Sequence, residues 1–67
     1  MEVTLNNKKI TIADNDILET VLELNHLVSK KGIAVAVNGS VISKVMWSKH
    51  QLNANDTIMV ITATAGG

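Results

Sequence analysis

With 67 residues the chain has room for one small domain, spanning 1–67, near the lower limit of independent folding. Six Lys offset six acids for a formal charge of zero, and Arg is absent, so the basic surplus and bidentate phosphate contacts of nucleic-acid binders are missing. A hydrophobic fraction of 46% with no Pro, no Cys and one aromatic argues against a disordered chain, a disulfide scaffold and a thiolate metal site, leaving aliphatic packing to hold the fold.

The first residues lack the basic region and apolar stretch of a signal peptide. Val3-Thr4-Leu5 and Ile10-Thr11-Ile12 alternate apolar and polar, the period of half-buried strands. Asn6-Asn7-Lys8 between them supplies turn residues that tolerate positive φ, so the pair reads as a hairpin with Lys9 in water. Asp16-Ile17-Leu18-Glu19 has the pattern of an acidic N-cap with Glu three residues on. From there Leu18, Val21, Leu22, Asn25 and Val28 recur at helical spacing, and Lys30-Lys31 followed by Gly32 suit a helix end. The expectation is one main helix opening at Asp16 and closing at Gly32.

Ile33-Ala34-Val35-Ala36-Val37 reads as a strand with bulky residues on one face and alanines on the other. It is also the longest apolar run, far too short to cross a bilayer. Asn38-Gly39 is a strong two-residue hairpin signal, with Ser40-Val41-Ile42 returning. Ser43 is placed to cap a short helical turn through Trp47, and Asn53-Ala54-Asn55-Asp56 is a turn cluster. A last strand over residues 57–63 leads into Thr64-Ala65-Gly66-Gly67. Its two faces are both apolar: Ile58 and Val60 on one, Met59 and Ile61 on the other. Either the strand is partly buried on both sides, or Met59 and Ile61, with Ala34 and Ala36, form an exposed partner surface. The order β-β-α-β-β-β with one main helix over one face of a mixed sheet defines an α+β class.

No constellation points to catalysis. His26 and His50 have no nucleophile or ligand at a recognisable spacing, and Asp14-Asn15-Asp16 lacks the glycine and distal Glu of a calcium loop. Glu19 and Glu23, one turn apart, read as a solvated face. Trp47 is read first as core packing and second as a partner anchor. Gly66-Gly67 is different in kind. Two residues without side chains give a narrow, conformationally free segment beside a carboxylate, suited to a channel in which that acid is activated.

In this order and spacing the chain resembles the ubiquitin-like β-grasp proteins, and among them the small sulfur carriers of thiamin biosynthesis. The resemblance rests on the hairpin over residues 3–12, the helix from Asp16, and Ala36-Val37-Asn38-Gly39 leading into Val41-Ile42. Trp47, the Asn55-Asp56 turn and the ending Ala65-Gly66-Gly67 complete it. One departure is Ser43, where that family often has Pro. The resemblance implies a defined chemistry. A terminal carboxylate, with a pKa of about 3.3–3.7, is ionised and a poor electrophile at neutral pH. An E1-like activating enzyme would therefore adenylate Gly67 with ATP, and a persulfide of a sulfur donor protein would replace the adenylate. The resulting thiocarboxylate would be consumed by a thiazole synthase. Gly66 would supply clearance, with 64–67 as a flexible functional tail. The chain itself would bind no cofactor and would be a co-substrate, not an enzyme, acting in the cytoplasm with neither nucleic acid nor membrane as partner. Three alternatives stay open: a molybdopterin synthase small subunit-like carrier, a ubiquitin-like protein modifier, and a β-grasp binding module with an inert tail.

Overall fold

In the computed structural model residues 1–27 and 32–62 are described. Strand β1 (Glu2–Leu5) turns into β2 (Lys8–Thr11) through Asn6 and Asn7, both with positive φ (49° and 69°). Two consecutive left-handed residues make the tight connection whose twist matches the paired strands, and Asn tolerates that conformation. The turn is thus the asparagine pair alone, and Lys8 already belongs to β2 opposite Leu5. Val3 faces Ile10 across the same pair.

Helix α1 (Leu18–Leu24) differs from its sequence expectation at both ends. Its N-cap is Ile17, with no side-chain cap. The first amides are instead taken by a distant segment: Leu18 N–H donates to the His50 carbonyl (2.8 Å) and Glu19 N–H to that of Trp47 (3.0 Å). Asp16 turns the other way, its carboxylate accepting from Ala13 N–H at 3.1 Å and closing the turn around Asn15 (φ 68°). The supposed capping box fails because tertiary backbone carbonyls reach those amides first.

At the other end the helix stops at Leu24, well before Gly32, through His26 in the left-handed region (φ 59°). Leu27 N–H donates to the Leu22 carbonyl (2.8 Å) and His26 N–H to that of Glu23 (3.0 Å). These two bonds make a Schellman motif with histidine where glycine is usual. Half-buried Leu27 packs on the core behind it. The Val28 and Lys30-Lys31 positions lie outside the described residues.

Strand β3 (Ile33–Val37) returns through Asn38 and Gly39 (φ 51° and 85°) into β4 (Ser40–Ile42). A 3-10 turn, Lys44–Met46, follows, with Ser43 at its N-cap but no side-chain cap bond. Strand β5 (Thr57–Thr62) then enters the middle of the sheet. The order is β2-β1-β5-β3-β4, with β5 parallel to β1 and the other neighbours antiparallel. The core lies on one face of this sheet, where Leu18, Val21 and Leu22 of α1 meet Val3, Leu5, Val35, Val37 and Ile58. Trp47 (2% exposed) and Leu52 close the core from the β4–β5 connection, and the indole N–H donates to the Ile42 carbonyl at 3.0 Å. Trp47 is therefore core, as its size in so small a chain favours.

Because a non-glycine residue in the left-handed region carries strain on the order of 1 kcal/mol, His26→Gly should stabilise the protein by about that amount in urea unfolding. An unchanged or lowered midpoint would mean the imidazole makes a contribution larger than the strain.

Candidate functional site: the open sheet face and the end of β5

Helix α1 covers one face of the sheet, and no described residue covers the opposite face. Alternation then sorts β5 residue by residue: Ile58 is fully buried and Val60 packs partly against the core, whereas Met59 (43% exposed) and Ile61 (57%) point into solvent. The register places Ala36 opposite Met59 and Ala34 opposite Ile61. Val41 on β4 stands opposite Ala36, so Val41, Ala36 and Met59 form one apolar row across three strands. The same face on β1 and β2 carries Glu2, Thr4, Lys9 and Thr11, paired Glu2 to Thr11 and Thr4 to Lys9. The open face is thus half apolar and half polar, with β5 on the apolar side.

The structure makes β5 a central strand, as one sequence reading has it, yet leaves Met59 and Ile61 exposed opposite Ala36 and Ala34. Val41 was not among the residues that the sequence assigned to this surface. The signal for it existed: a two-residue Asn38-Gly39 turn pairs Val37 with Ser40 and so fixes Val41 on the alanine face. Gly66 and Gly67, the residues assigned to the chemistry, lie outside the described residues. β5 is traced to Thr62, which pairs with Ile33.

Asparagine side chains fix where β5 begins and runs. Asn6 Oδ1 accepts from Val60 N–H (2.8 Å), extending the parallel β1–β5 pairing beyond its last backbone bond, Asn6 N–H to the Ile58 carbonyl (3.0 Å). At the start of the strand Asn38 Nδ2 donates to Asp56 Oδ1 and Asn38 Oδ1 accepts from Thr57 N–H, both at 2.9 Å. Asp56, 7% exposed, also accepts from Asn53 N–H at 2.8 Å. Sequence reasoning saw these asparagines only as turn formers.

Other candidates are brought to nothing chemical. His26 is an exposed helix terminator, and His50 serves through its backbone carbonyl. Asp14 pairs with the Met1 ammonium at 3.1 Å. Among the described residues no group of three His, Cys, Asp or Glu could hold a metal ion, and no helix is long and apolar enough to cross a membrane. A hollow of about 80 Å³ beside Glu2, Thr4, Lys9 and Asn55 falls well below the roughly 300 Å³ of small-molecule sites.

A five-stranded mixed sheet in this order with one helix on one face is the β-grasp fold. The sequence profile of the ThiS family matches residues 2–67, and the chain belongs to that family of small sulfur carriers in thiamin biosynthesis. Among solved structures it is similar to the crystal structure of the thiamine biosynthesis protein ThiS from Geobacter metallireducens. The TM-score is 0.85, identity 20%, and each chain is covered completely. The solution structure of a thiamine biosynthesis protein from the same organism gives a TM-score of 0.76 at 20% identity, covering all of this chain and 88% of the other. Comparison with curated protein sequences finds no match.

The sorting of β5 has a direct test. Met59→Lys and Ile61→Lys should fold with stability within about 1 kcal/mol of the parent, since both positions are already wet. Ile58→Lys should give no cooperative unfolding transition, because an ammonium would stand unpaired at the core. Circular dichroism in urea distinguishes the three, and a folded Ile58→Lys would invert the face assignment.

Proposed function

We propose that this chain carries sulfur as a thiocarboxylate on Gly67. The observation that supports the reading most is that the family match runs through Gly66 and Gly67 on a chain whose β5 leads directly toward them. The Gly67 carboxylate attacks the α-phosphorus of ATP on an E1-like activating enzyme, and pyrophosphate leaves. The terminal sulfur of a persulfide on a donor protein then displaces AMP from the acyl adenylate. A thiol releases the thiocarboxylate from the resulting acyl disulfide, and a thiazole synthase takes the sulfur. The chain is a co-substrate in this sequence: it binds no cofactor, and ATP belongs to the activating enzyme. In this reading the chain acts in the cytoplasm, which its lack of cysteine suits.

In this reading residues 64–67 act as the functional tail of a single domain, and Gly66 provides the clearance that a side chain would deny inside a partner's channel. The apolar half of the open face, Ala34, Ala36, Met59 and Ile61, is the surface on which the two enzymes dock in turn. Methionine suits a surface that must fit more than one partner.

Intact-mass measurement after incubation with the activating enzyme, ATP and a persulfide donor should show oxygen replaced by sulfur. Deleting Gly67 should abolish the exchange with little change in unfolding midpoint, because among the described residues the core extends no further along β5 than Val60. A conjugate to a lysine of another protein, with no sulfur gained, would instead make the chain a protein modifier.

A further inference from the structure

Asn38 is the asparagine most exposed to its own backbone chemistry. It precedes Gly39, which has no side chain to shield its nitrogen. Apart from the chain neighbours, no described atom comes within 4 Å of where a Gly39 Cβ would stand, so water reaches this turn. The Gly39 N–H has no hydrogen-bond acceptor among the described residues, leaving that nitrogen free to act as nucleophile. Opposing this, the Asn38 amide is held at both atoms by the start of β5, through Asp56 and Thr57.

We propose that Asn38 is a site of spontaneous deamidation, restrained by Asp56, and that its conversion breaks the side-chain tie between the β3–β4 turn and Asp56 while the Asn38 N–H still donates to the Thr57 carbonyl (2.8 Å). The Gly39 nitrogen attacks Asn38 Cγ and gives up its proton, a Cγ–N bond forms, the Cγ–Nδ2 bond breaks and ammonia leaves. Water opens the resulting succinimide to aspartate or, by attack at the backbone carbonyl, to isoaspartate. No oxidant or enzyme is required. Ring closure needs the side chain to rotate away from Asp56 Oδ1 and the Thr57 N–H, so both bonds must break first. Once formed, the new carboxylate at position 38 replaces the donor that faced Asp56 Oδ1 at 2.9 Å with a second acceptor of like charge. The restraint and the consequence therefore share one contact. Aspartate tolerates the left-handed conformation much as asparagine does, so the backbone itself does not oppose the change.

The full chain is incubated in mildly alkaline buffer and mapped by peptide mass and isoaspartyl methylation. Residue 38 should convert before any other asparagine. Asp56→Ala should convert about threefold to tenfold faster, reflecting one lost hydrogen bond. Ile58→Val, a core truncation that leaves both Asn38 bonds in place, should not match that acceleration. Equal acceleration in the two variants, or earlier conversion elsewhere, overturns the restraint. The consequence is tested separately: Asn38→Asp should lower the urea midpoint, and adding Asp56→Asn should restore it by returning a donor to the pair. Should Asn38→Asp alone fail to fold, the folded double variant still reports the contact. An Asn38→Asp chain as stable as the parent, or a double variant no better than the single, overturns the proposed loss of that tie.

Discussion

Strand β5 is hydrogen-bonded along both edges, in parallel to β1 and antiparallel to β3, and it carries the fully buried Ile58 beneath α1. Its pairings are among the longest-range in the chain, so the sheet closes only when the two ends of the sequence meet. The parallel side is short, with Thr4 opposite Thr57 and Leu5 opposite Ile58. The Asn6 side chain lengthens it to Val60. Asn38 and Asp56 anchor the other end of the strand. A central strand secured by side-chain amides at both ends cannot slip by one residue, and such a slip would turn Ile58 out and Met59 in.

The helix depends on the same closure. Seven residues are too few to hold a helix in water by themselves, since nucleation costs more than so few bonds return. Leu18, Val21 and Leu22 supply the buried face, and the carbonyls of Trp47 and His50 receive the first amides. Those carbonyls belong to the β4–β5 connection, where Leu52 N–H also donates to the Asp16 carbonyl at 2.9 Å. The connection is thereby a cap as well as a link. It explains how a chain with one aromatic builds a closed core: Trp47 and the helix start are fixed to one another by backbone as well as packing.

The strands were legible because alternation and turn chemistry agree there. Asn38-Gly39 forecast its two-residue turn, whereas Asn6-Asn7-Lys8 was read one residue too long, since Lys8 already pairs with Leu5. The helix boundaries were not legible, because both are set by something other than helix propensity. At the start a distant backbone supplies the acceptors, which no local pattern encodes. At the end a histidine occupies a conformation for which glycine is the expected marker, and the eye passes on to Gly32. The candidate site was half legible. Parity separated Met59 and Ile61 from Ile58, but only the fold shows that no described residue covers their side, and Val41 was missed although the Asn38-Gly39 turn places it there.

An open apolar half-face is an unfavourable feature on a domain this small, since apolar surface left in water adds nothing to stability and favours association. The edges of the sheet show that the sequence does resist association elsewhere: β2 presents Lys8 and Lys9, and β4 is only three residues long. The apolar residues of this face lie together on β5, β3 and β4, to one side of the sheet. A surface on β5 is held by the core through Ile58 and by both neighbours, so whatever grips Met59 and Ile61 grips a rigid element. In the proposed function, recognition on the rigid strand and reactivity at the residues after it would separate two demands that conflict. Docking loses less conformational entropy when its surface is already ordered, while entry into a narrow channel requires a backbone free of side chains.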